Sequence, residues 1–329
     1  MKIGFIPLVD CAPLVIAKEK GFFAREGLDV KLGKVQNWMQ LLDRLQRGEC
    51  DGAHMLATLP VLAAAGAAGI EEPICTAWVI SSSANGITLS NRLCRAGVWD
   101  GQSLSDWLGQ NPDQSIRFGI VMERSTQELT LREWMQQGGV EVGERVQLMV
   151  CPPQEMARRM REGILDGFCS GEPWNQRATS SKLGGIVALG DQIMGDMPEK
   201  VLAVRRKWHE EHKAEHGAVL RSVAAASVWL EDPANLEEAT TIVSDKYYVN
   251  TQAQLLRFDL SRKIQAGWNK VLESPGFLKF TGINMPKANR FVPLLERLVW
   301  WGHLPSSALE CDLDRICLEE FHRELFPSN

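Results

Sequence analysis

A stretch near the N-terminus recurs about a third of the chain later. Gly4, in Ile3-Gly4-Phe5-Ile6, answers to Gly119 in Phe118-Gly119-Ile120-Val121, an offset of 115 residues. At the same offset the turn Gly48-x-x-Asp51-Gly52 returns as Gly163-x-x-Asp166-Gly167. Leu41, Leu42 and Leu45 correspond to Met156, Ala157 and Met160, each set spaced for one helix face. Several matches at one offset mean two copies of one supersecondary unit. Each copy reads strand, helix, strand, helix, strand. In the first, residues 2–8 form a continuous apolar strand of the buried parallel kind. Residues 13–23 are helical and end near Gly27, which suits a left-handed cap. Residues 28–32 alternate, 38–46 are helical up to Gly48, and 53–56 form a short strand. In the second, Ser125 with Glu128 makes a capping-box pattern for a helix that runs through Trp134 to Gly138-Gly139. Strand 146–150, helix 155–161 and strand 167–170 follow. This alternation predicts α/β architecture: two lobes with parallel sheets faced by helices, and a ligand cleft at the carboxyl ends of the strands. From about Trp208 the pattern turns to longer helices over 218–230, 236–243 and 252–264, then a C-terminal stretch through Trp300-Trp301. That tail is expected to pack on the first lobe. Residues 1–82 and 190–329 then form lobe one with its C-terminal helices, and 83–189 form lobe two.

At 329 residues the chain is long enough for two such lobes. With 45% apolar and 23% charged residues it has the composition of a folded globular protein. Its 36 basic against 41 acidic residues leave a net charge of −5, which argues against direct binding to nucleic acid. No apolar run approaches the ~20 residues of a membrane span; the longest, 55–70, is Ala/Gly-rich and broken by Pro60. Met1-Lys2 leads straight into an apolar strand without the basic, apolar and small-residue regions of a secretory signal. Eight cysteines are scattered singly, and Cys11, Cys50, Cys75, Cys151 and Cys169 sit in or beside apolar runs. That is the pattern of buried thiols in a reducing compartment, and the expected location is the cytoplasm.

Several enzyme classes lose support. The chain has no Gly-x-Gly-x-x-Gly after a strand, no Gly-x4-Gly-Lys-Ser/Thr and no Gly-x-Ser-x-Gly. His209, His212 and His216 fall at i, i+3 and i+7 in a densely charged stretch, which reads as a solvated helix face rather than a zinc site. Cys311 and Cys317 have no metal-ligand partners nearby in sequence and read as buried thiols. Binding without catalysis, metal or cofactor is the expectation. Ser125-Thr126-Gln127 follows a strand at a helix N-terminus, a place for a small anion or a plain N-cap. Residues 168–174 turn at Gly171 and Pro173, either to present backbone N–H groups or as a tight connection. Trp38 offers one indole donor or a core side chain, and His54 a ligand contact or a satisfied core histidine. Asn85-Gly86 stands where the chain crosses between lobes, as hinge turn or ligand donor. Glu199-Lys200 precedes the strand that returns to lobe one, and Lys200 is either a surface lysine or the ligand's cation.

Residues 4–23 (GFIPLVDCAPLVIAKEKGFF), Ala53-His54-Met55-Leu56, residues 166–175 (DGFCSGEPWN) and Pro198-Glu199-Lys200-Val201-Leu202 closely resemble the nitrate- and bicarbonate-binding proteins of ABC importers. The resemblance covers nearly the whole chain. It implies a type II periplasmic-binding-protein fold, two Rossmann-like lobes closing on one small oxyanion. The family's ligand residues are a Trp, a polar amide near an Ile-Thr-Leu strand, a His, a turn Gly and a Lys. By motif they fall on Trp38, Asn85, Gln127, Gly171 and Lys200, with His54, Thr126 and Glu172 beside them. Gln127 stands where the family has His after Ser-Thr, so a neutral amide replaces that donor. An ionised Glu172 would repel the ligand unless it pairs with Lys200 or points away. The start of the chain and its thiols resemble cytoplasmic nitrate/nitrite sensors, which hold an RNA-binding antiterminator protein inactive until ligand binds. That resemblance implies a protein partner and a role in nitrate assimilation; the alternative is the solute-binding subunit of a nitrate, bicarbonate or cyanate importer. An enzyme on the same fold, such as a thiamin-precursor pyrimidine synthase, would carry a cysteine-rich iron motif that this chain does not contain.

Overall fold

The computed structural model describes residues 1–67 and 69–327, so one residue of the apolar run 55–70 lies outside the description. Twelve strands follow in chain order: β1 (Lys2–Phe5), β2 (Lys31–Lys34), β3 (Gly52–Leu56), β4 (Ile74–Ser82), β5 (Asn85–Ser90), β6 (Ile116–Ile120), β7 (Val146–Val150), β8 (Gly167–Gly171), β9 (Gly184–Leu189), β10 (Pro198–Arg205), β11 (Lys263–Gly267) and β12 (Lys270–Glu273). They fall into two compact units. Unit 1 holds Met1–Ser82, Met197–Arg257 and the chain from Leu278 onward; unit 2 holds Ser83–Asp196 and Phe258–Phe277.

Both units contain the same five-stranded sheet. The order is β2-β1-β3-β10-β4 in unit 1 and β7-β6-β8-β5-β9 in unit 2. The repeat extends to register: Ile3 pairs with Gly52 and Gly4 with Ala53, while Phe118 pairs with Gly167 and Gly119 with Phe168. The repeated glycines share a cause, because a side chain on either would strike its neighbours. A Cβ on Gly4 would meet Leu41 at 2.4 Å, and one on Gly119 would meet Leu165 at 2.8 Å. Neither sheet is wholly parallel, as the strand–helix alternation had suggested. β10 runs antiparallel to β3 and β4, and β5 antiparallel to β8 and β9. Each of these fourth strands enters its sheet from the other unit's stretch of chain and so arrives without a right-handed crossover helix.

The core of unit 2 gathers Ile87, Leu89, Leu104, Phe118, Leu131, Trp134 and Val146, with the Phe118 and Trp134 rings edge to face at 6.3 Å. Helices Gly101–Gln110 and Thr126–Gln136 approach backbone to backbone, since a Cβ on Gly138 would sit 1.9 Å from the Gly101 carbonyl oxygen.

Four expectations need correction. The helix expected over 252–264 covers only Ala253–Leu260; Arg262 is left-handed (φ 57°), and the chain leaves as strand β11. Its hairpin partner is β12, and the hairpin belongs to unit 2, where Thr179 donates to the Gln265 carbonyl at 3.0 Å and Trp268 meets Trp99 at 6.4 Å. Lobe one therefore does not run unbroken through the C-terminal half, and residues 190–196, at helix Gly190–Met194, also stay with unit 2. The three histidines do not share a solvated face. The helix breaks at His212 (φ −131°, ψ 38°), and His209 and His216 turn inward, 4% and 0% exposed. Their Nδ1 atoms lie 2.9 Å apart, against the Phe321 ring. Seven of the eight cysteines are buried free thiols and Cys311 is half-buried. No helix among the described residues is long and apolar enough to cross a membrane.

Candidate functional site

In unit 1 the polar side chains gather where the parallel strands end, the place at which open α/β sheets hold ligands. Asp10 lies in the 3-10 turn Val9–Cys11 just after β1, Trp38 opens the helix Trp38–Gln46 after β2, and His54 sits in β3. Asn37 fixes the start of Trp38's helix by accepting from the Gln40 N–H at 2.9 Å. β10 pairs Leu202 with His54 and Lys200 with Leu56, and strand alternation puts Lys200 and His54 on one face as diagonal neighbours.

The result is a buried charged cluster. Lys200 Nζ lies 3.1 Å from Asp10 Oδ2 and 2.8 Å from Glu199 Oε1, and His54 Nε2 lies 3.0 Å from Asp10 Oδ1. None of the four side chains is more than 2% exposed. The ammonium stands 5.5 Å from the centre of the Trp38 ring, and the Trp38 and His54 rings are 6.0 Å apart. Burial pulls the Lys200 pKa down, but the Asp10 and Glu199 charges outweigh it and hold it above the ordinary lysine value. Burial likewise pushes Asp10 up, and the Lys200 and His54 beside it bring it down to about 2. Among the described residues, Trp38 Nε1 and both ring nitrogens of His54 are buried polar atoms without a hydrogen-bond partner, Nε2 meeting Asp10 only as a close contact. Asp10 was not anticipated as a partner. Its signal is a single carboxylate inside an otherwise apolar run from Leu8 to Ala17, where a charge must be paired.

Unit 2 gathers the remaining candidates around β5, β6 and β8. Asn85 and Gly171 face each other in register on neighbouring strands. The Asn85 amide oxygen accepts from the Cys169 thiol at 3.7 Å. Thr126 and Gln127, 3% and 0% exposed, form the first turn of the helix after β6, with the Thr126 hydroxyl donating to Gln127 Oε1 at 3.3 Å. Ser125 caps that helix by accepting from the Glu128 N–H at 3.2 Å; the Glu128 carboxylate takes the N–H of Arg124, one residue earlier than in a reciprocal capping box.

Glu172 turns away from the anion question altogether. It is 2% exposed, its Oε2 accepts from the Gln176 N–H at 3.0 Å, and its charged neighbour is Asp259. Lys200 is taken up by Asp10 and Glu199 instead. Burial raises Glu172 to about 7 against the N–H groups of Gln176 and Asn175; burial and the Glu172 charge raise Asp259 well above its usual range. Asp259, unforeseen from sequence, has both carboxylate oxygens without a hydrogen-bond partner among the described residues. The folded state thus holds more protons than the unfolded one between pH 4.5 and about 7, so stability is complete below that window and falls as pH rises through it. Glu172→Gln is expected to remove the Glu172 share of this loss, gaining about 3 kcal/mol on wild type between pH 5 and pH 8, while the share of the buried Asp259 remains. Denaturant midpoints at the two pH values measure it, and parallel shifts in both proteins would refute it.

The chain matches the NMT1-like family over residues 1–244. It is 34% identical over 311 residues to the nitrate import ATP-binding protein NrtC of Synechocystis, an alignment covering 92% of this chain and 46% of NrtC. The chain spans about half the length of such ATP-binding relatives. It is 31% identical over 322 residues to the nitrate/nitrite binding protein NrtA of Synechococcus elongatus, covering 93% of this chain and 72% of NrtA. The crystal structure of the periplasmic nitrate-binding protein NrtA from Synechocystis superposes with a TM-score of 0.91 at 26% identity, covering 98% of this chain and 87% of that one. The fold is thus the two-lobe α/β periplasmic-binding-protein fold, and the chain belongs to the NMT1-like family.

Proposed function

We propose that this chain binds nitrate or nitrite without turning it over, and that it acts in the cytoplasm as a sensor controlling an RNA-binding antiterminator partner in nitrate assimilation. The observation that carries the ligand is the fully buried ammonium of Lys200, set beside an indole N–H with no acceptor among the described residues. An ammonium has three donors, and two carboxylate contacts leave one for a ligand. Trp38, Asn85, Gln127, Gly171 and Lys200 are the proposed ligand residues. Planar nitrate spreads one charge over three oxygens and suits several in-plane donors with one cation, where charge-assisted bonds are the strong ones. Relatives named as nitrate/nitrite binding proteins support this reading. Ligand can shift a partner equilibrium only by its differential affinity for two states, commonly worth about 1–3 kcal/mol.

Calorimetric titration with nitrate, nitrite and bicarbonate tests the binding. Trp38→Phe keeps the ring and removes the N–H, and is expected to weaken nitrate at least about tenfold, as for one hydrogen bond to a charged group. Unchanged affinity would remove Trp38 from the site. The sensor role predicts that nitrate or nitrite releases a bound protein partner in a pull-down, and a complex indifferent to every small oxyanion would sink it. The second reading, a solute-binding subunit of an ABC importer, draws on 30% identity over 348 residues to the bicarbonate-binding protein CmpA of Synechococcus elongatus. Bicarbonate binding alone, with no partner released, would favour it.

A further inference from the structure

The two copies of the α/β unit differ at one corner. In unit 1, register pairs Lys2 with Lys31 and Gly4 with Gly33 on the neighbouring parallel strands β1 and β2. Paired residues share a face, and this face looks at the helix Trp38–Gln46, since a Cβ on Gly4 would meet Leu41 of that helix. In unit 2 the same register pairs Arg117 with Gln147 and Gly119 with Met149 on β6 and β7. Like charges directly opposite each other repel. Unit 2 has a single cation there, and its guanidinium donates to the Gly163 carbonyl at 3.1 Å. The facing helices differ in the same sense. Arg44 and Arg159 stand at the repeat offset, as do Gln40 and Glu155. Arg159 meets Glu155 at 2.9 Å, whereas Arg44 has only the neutral Gln40 at that position.

Unit 1 is thus left with three cations around an open space. Lys2, Lys31 and Arg44 line a groove of about 400 Å³ at the amino ends of β1 and β2, and Glu49 is the acid on its wall. None of the three cationic side chains meets a carboxylate or a hydrogen-bond acceptor among the described residues. A Cβ on Gly33 would approach no atom closer than 4.0 Å, so the place that the half-buried Met149 takes in unit 2 is open here, with the buried Val35 beyond it. The volume falls within the roughly 300–1,000 Å³ of small-molecule sites. A cation in a helix's last turn suits the helix dipole, and lysines on an edge strand such as β2 discourage sheet pairing. Neither role accounts for the neutral residue at Gln40 or for the open space at Gly33.

We propose that this corner of unit 1 is a second ligand site, for a nucleoside monophosphate, whose phosphate meets Lys2, Lys31 and Arg44 and whose base lies over Gly33. Three cations against Glu49 leave two positive charges, which a phosphomonoester of about −1.5 to −2 at pH 7 offsets. Two ammonium groups and a guanidinium are donors that phosphate oxygens take in charge-assisted bonds. A flat ring fits where the strand carries no side chain and where unit 2 seats a thioether. The site lies at the amino ends of the strands, whereas Trp38 and Lys200 stand at the carboxyl ends, so it does not rest on the oxyanion reading.

Equilibrium dialysis of the full chain against radiolabelled AMP tests it. One AMP per chain is expected, unaffected by saturating nitrate and weakening as salt rises. Lys31→Gln should weaken AMP about tenfold, as the loss of one hydrogen bond to a charged group does. Gly33→Met, which gives unit 1 the residue of unit 2, should weaken it at least as much. Both positions lie on an edge strand, and an unchanged denaturant midpoint shows that each variant is folded. Adenosine and inorganic phosphate, added as competitors, should each displace the label less well than unlabelled AMP. Displacement by phosphate as effective as by AMP would overturn the nucleotide assignment. AMP held equally by wild type and both variants would overturn the location, and no AMP retained by wild type would overturn the inference outright. Titration with nitrate tests the Lys200 site separately, so either reading can fail alone.

Discussion

Replacing Lys200 with methionine is expected to lower stability at pH 7 by about 3–5 kcal/mol, the usual cost of removing one partner from a buried ion pair. Methionine matches the aliphatic stem, so the loss comes from charge and not from a cavity. Without the ammonium, Asp10 and Glu199 stay buried, 1–2% exposed, and both lose the cation they share. Each then binds a proton more readily in the folded state, so the penalty should shrink in acid. Denaturant unfolding at pH 7 and pH 4.5 measures both effects. A triple variant, Lys200→Met with Asp10→Asn and Glu199→Gln, should recover most of the loss, because the three residues act as one network and their effects do not add. A loss below about 1 kcal/mol at pH 7 would mean that the carboxylates find other compensation.

Acid should destabilise the protein through His216. Burial, with the His209 ring charge adding to it, brings this imidazole from 6.5 down to about 3. Two Nδ1 atoms at 2.9 Å share one hydrogen, so a second proton breaks the contact. The folded state therefore binds fewer protons than the unfolded chain below pH 6.5. The stability it contributes is complete above that value and is lost as pH falls, by about 5 kcal/mol near pH 3. His216→Gln is expected to flatten the acid limb of a stability–pH curve while leaving the region above pH 7 within about 1–2 kcal/mol of wild type. The same slope in variant and wild type between pH 6.5 and pH 4 would show that His216 does not govern it. The Phe321 ring and Leu325, 3.1 Å from where a Cβ on Gly217 would stand, link this pair to the C-terminal helix Glu319–Leu325. Exchange protection of that helix should fall with the acid transition.

The duplicated α/β unit was legible because its causes are local and periodic. Gly4 and Gly119, Asp51 and Asp166, and the helices Trp38–Gln46 and Pro153–Arg161 each follow from spacing that a single chain displays. The positions of Trp38, Asn85 and Gly171 at strand ends and turns were readable for the same reason, whereas Lys200, expected just before its strand, lies inside β10. The direction of β5 and β10 was not, since it depends on which unit's chain delivers the strand. Nor was the membership of residues 258–277, which Arg262's left-handed turn sends into a hairpin on unit 2. His209 and His216 sit in a charged stretch that predicts a wet surface, and only the break at His212 turns them inward. The same division governs the candidate site. Lys200 was visible as a residue, but its two counter-ions come from 190 residues upstream, at Asp10, and from the preceding residue, at Glu199. Charge pairing acts through space at about 3 Å, whereas the periodicity of a sequence records only which face of its own element a residue takes. The sequence by itself thus determined the elements and their order, and the tertiary structure alone decided which buried charges meet.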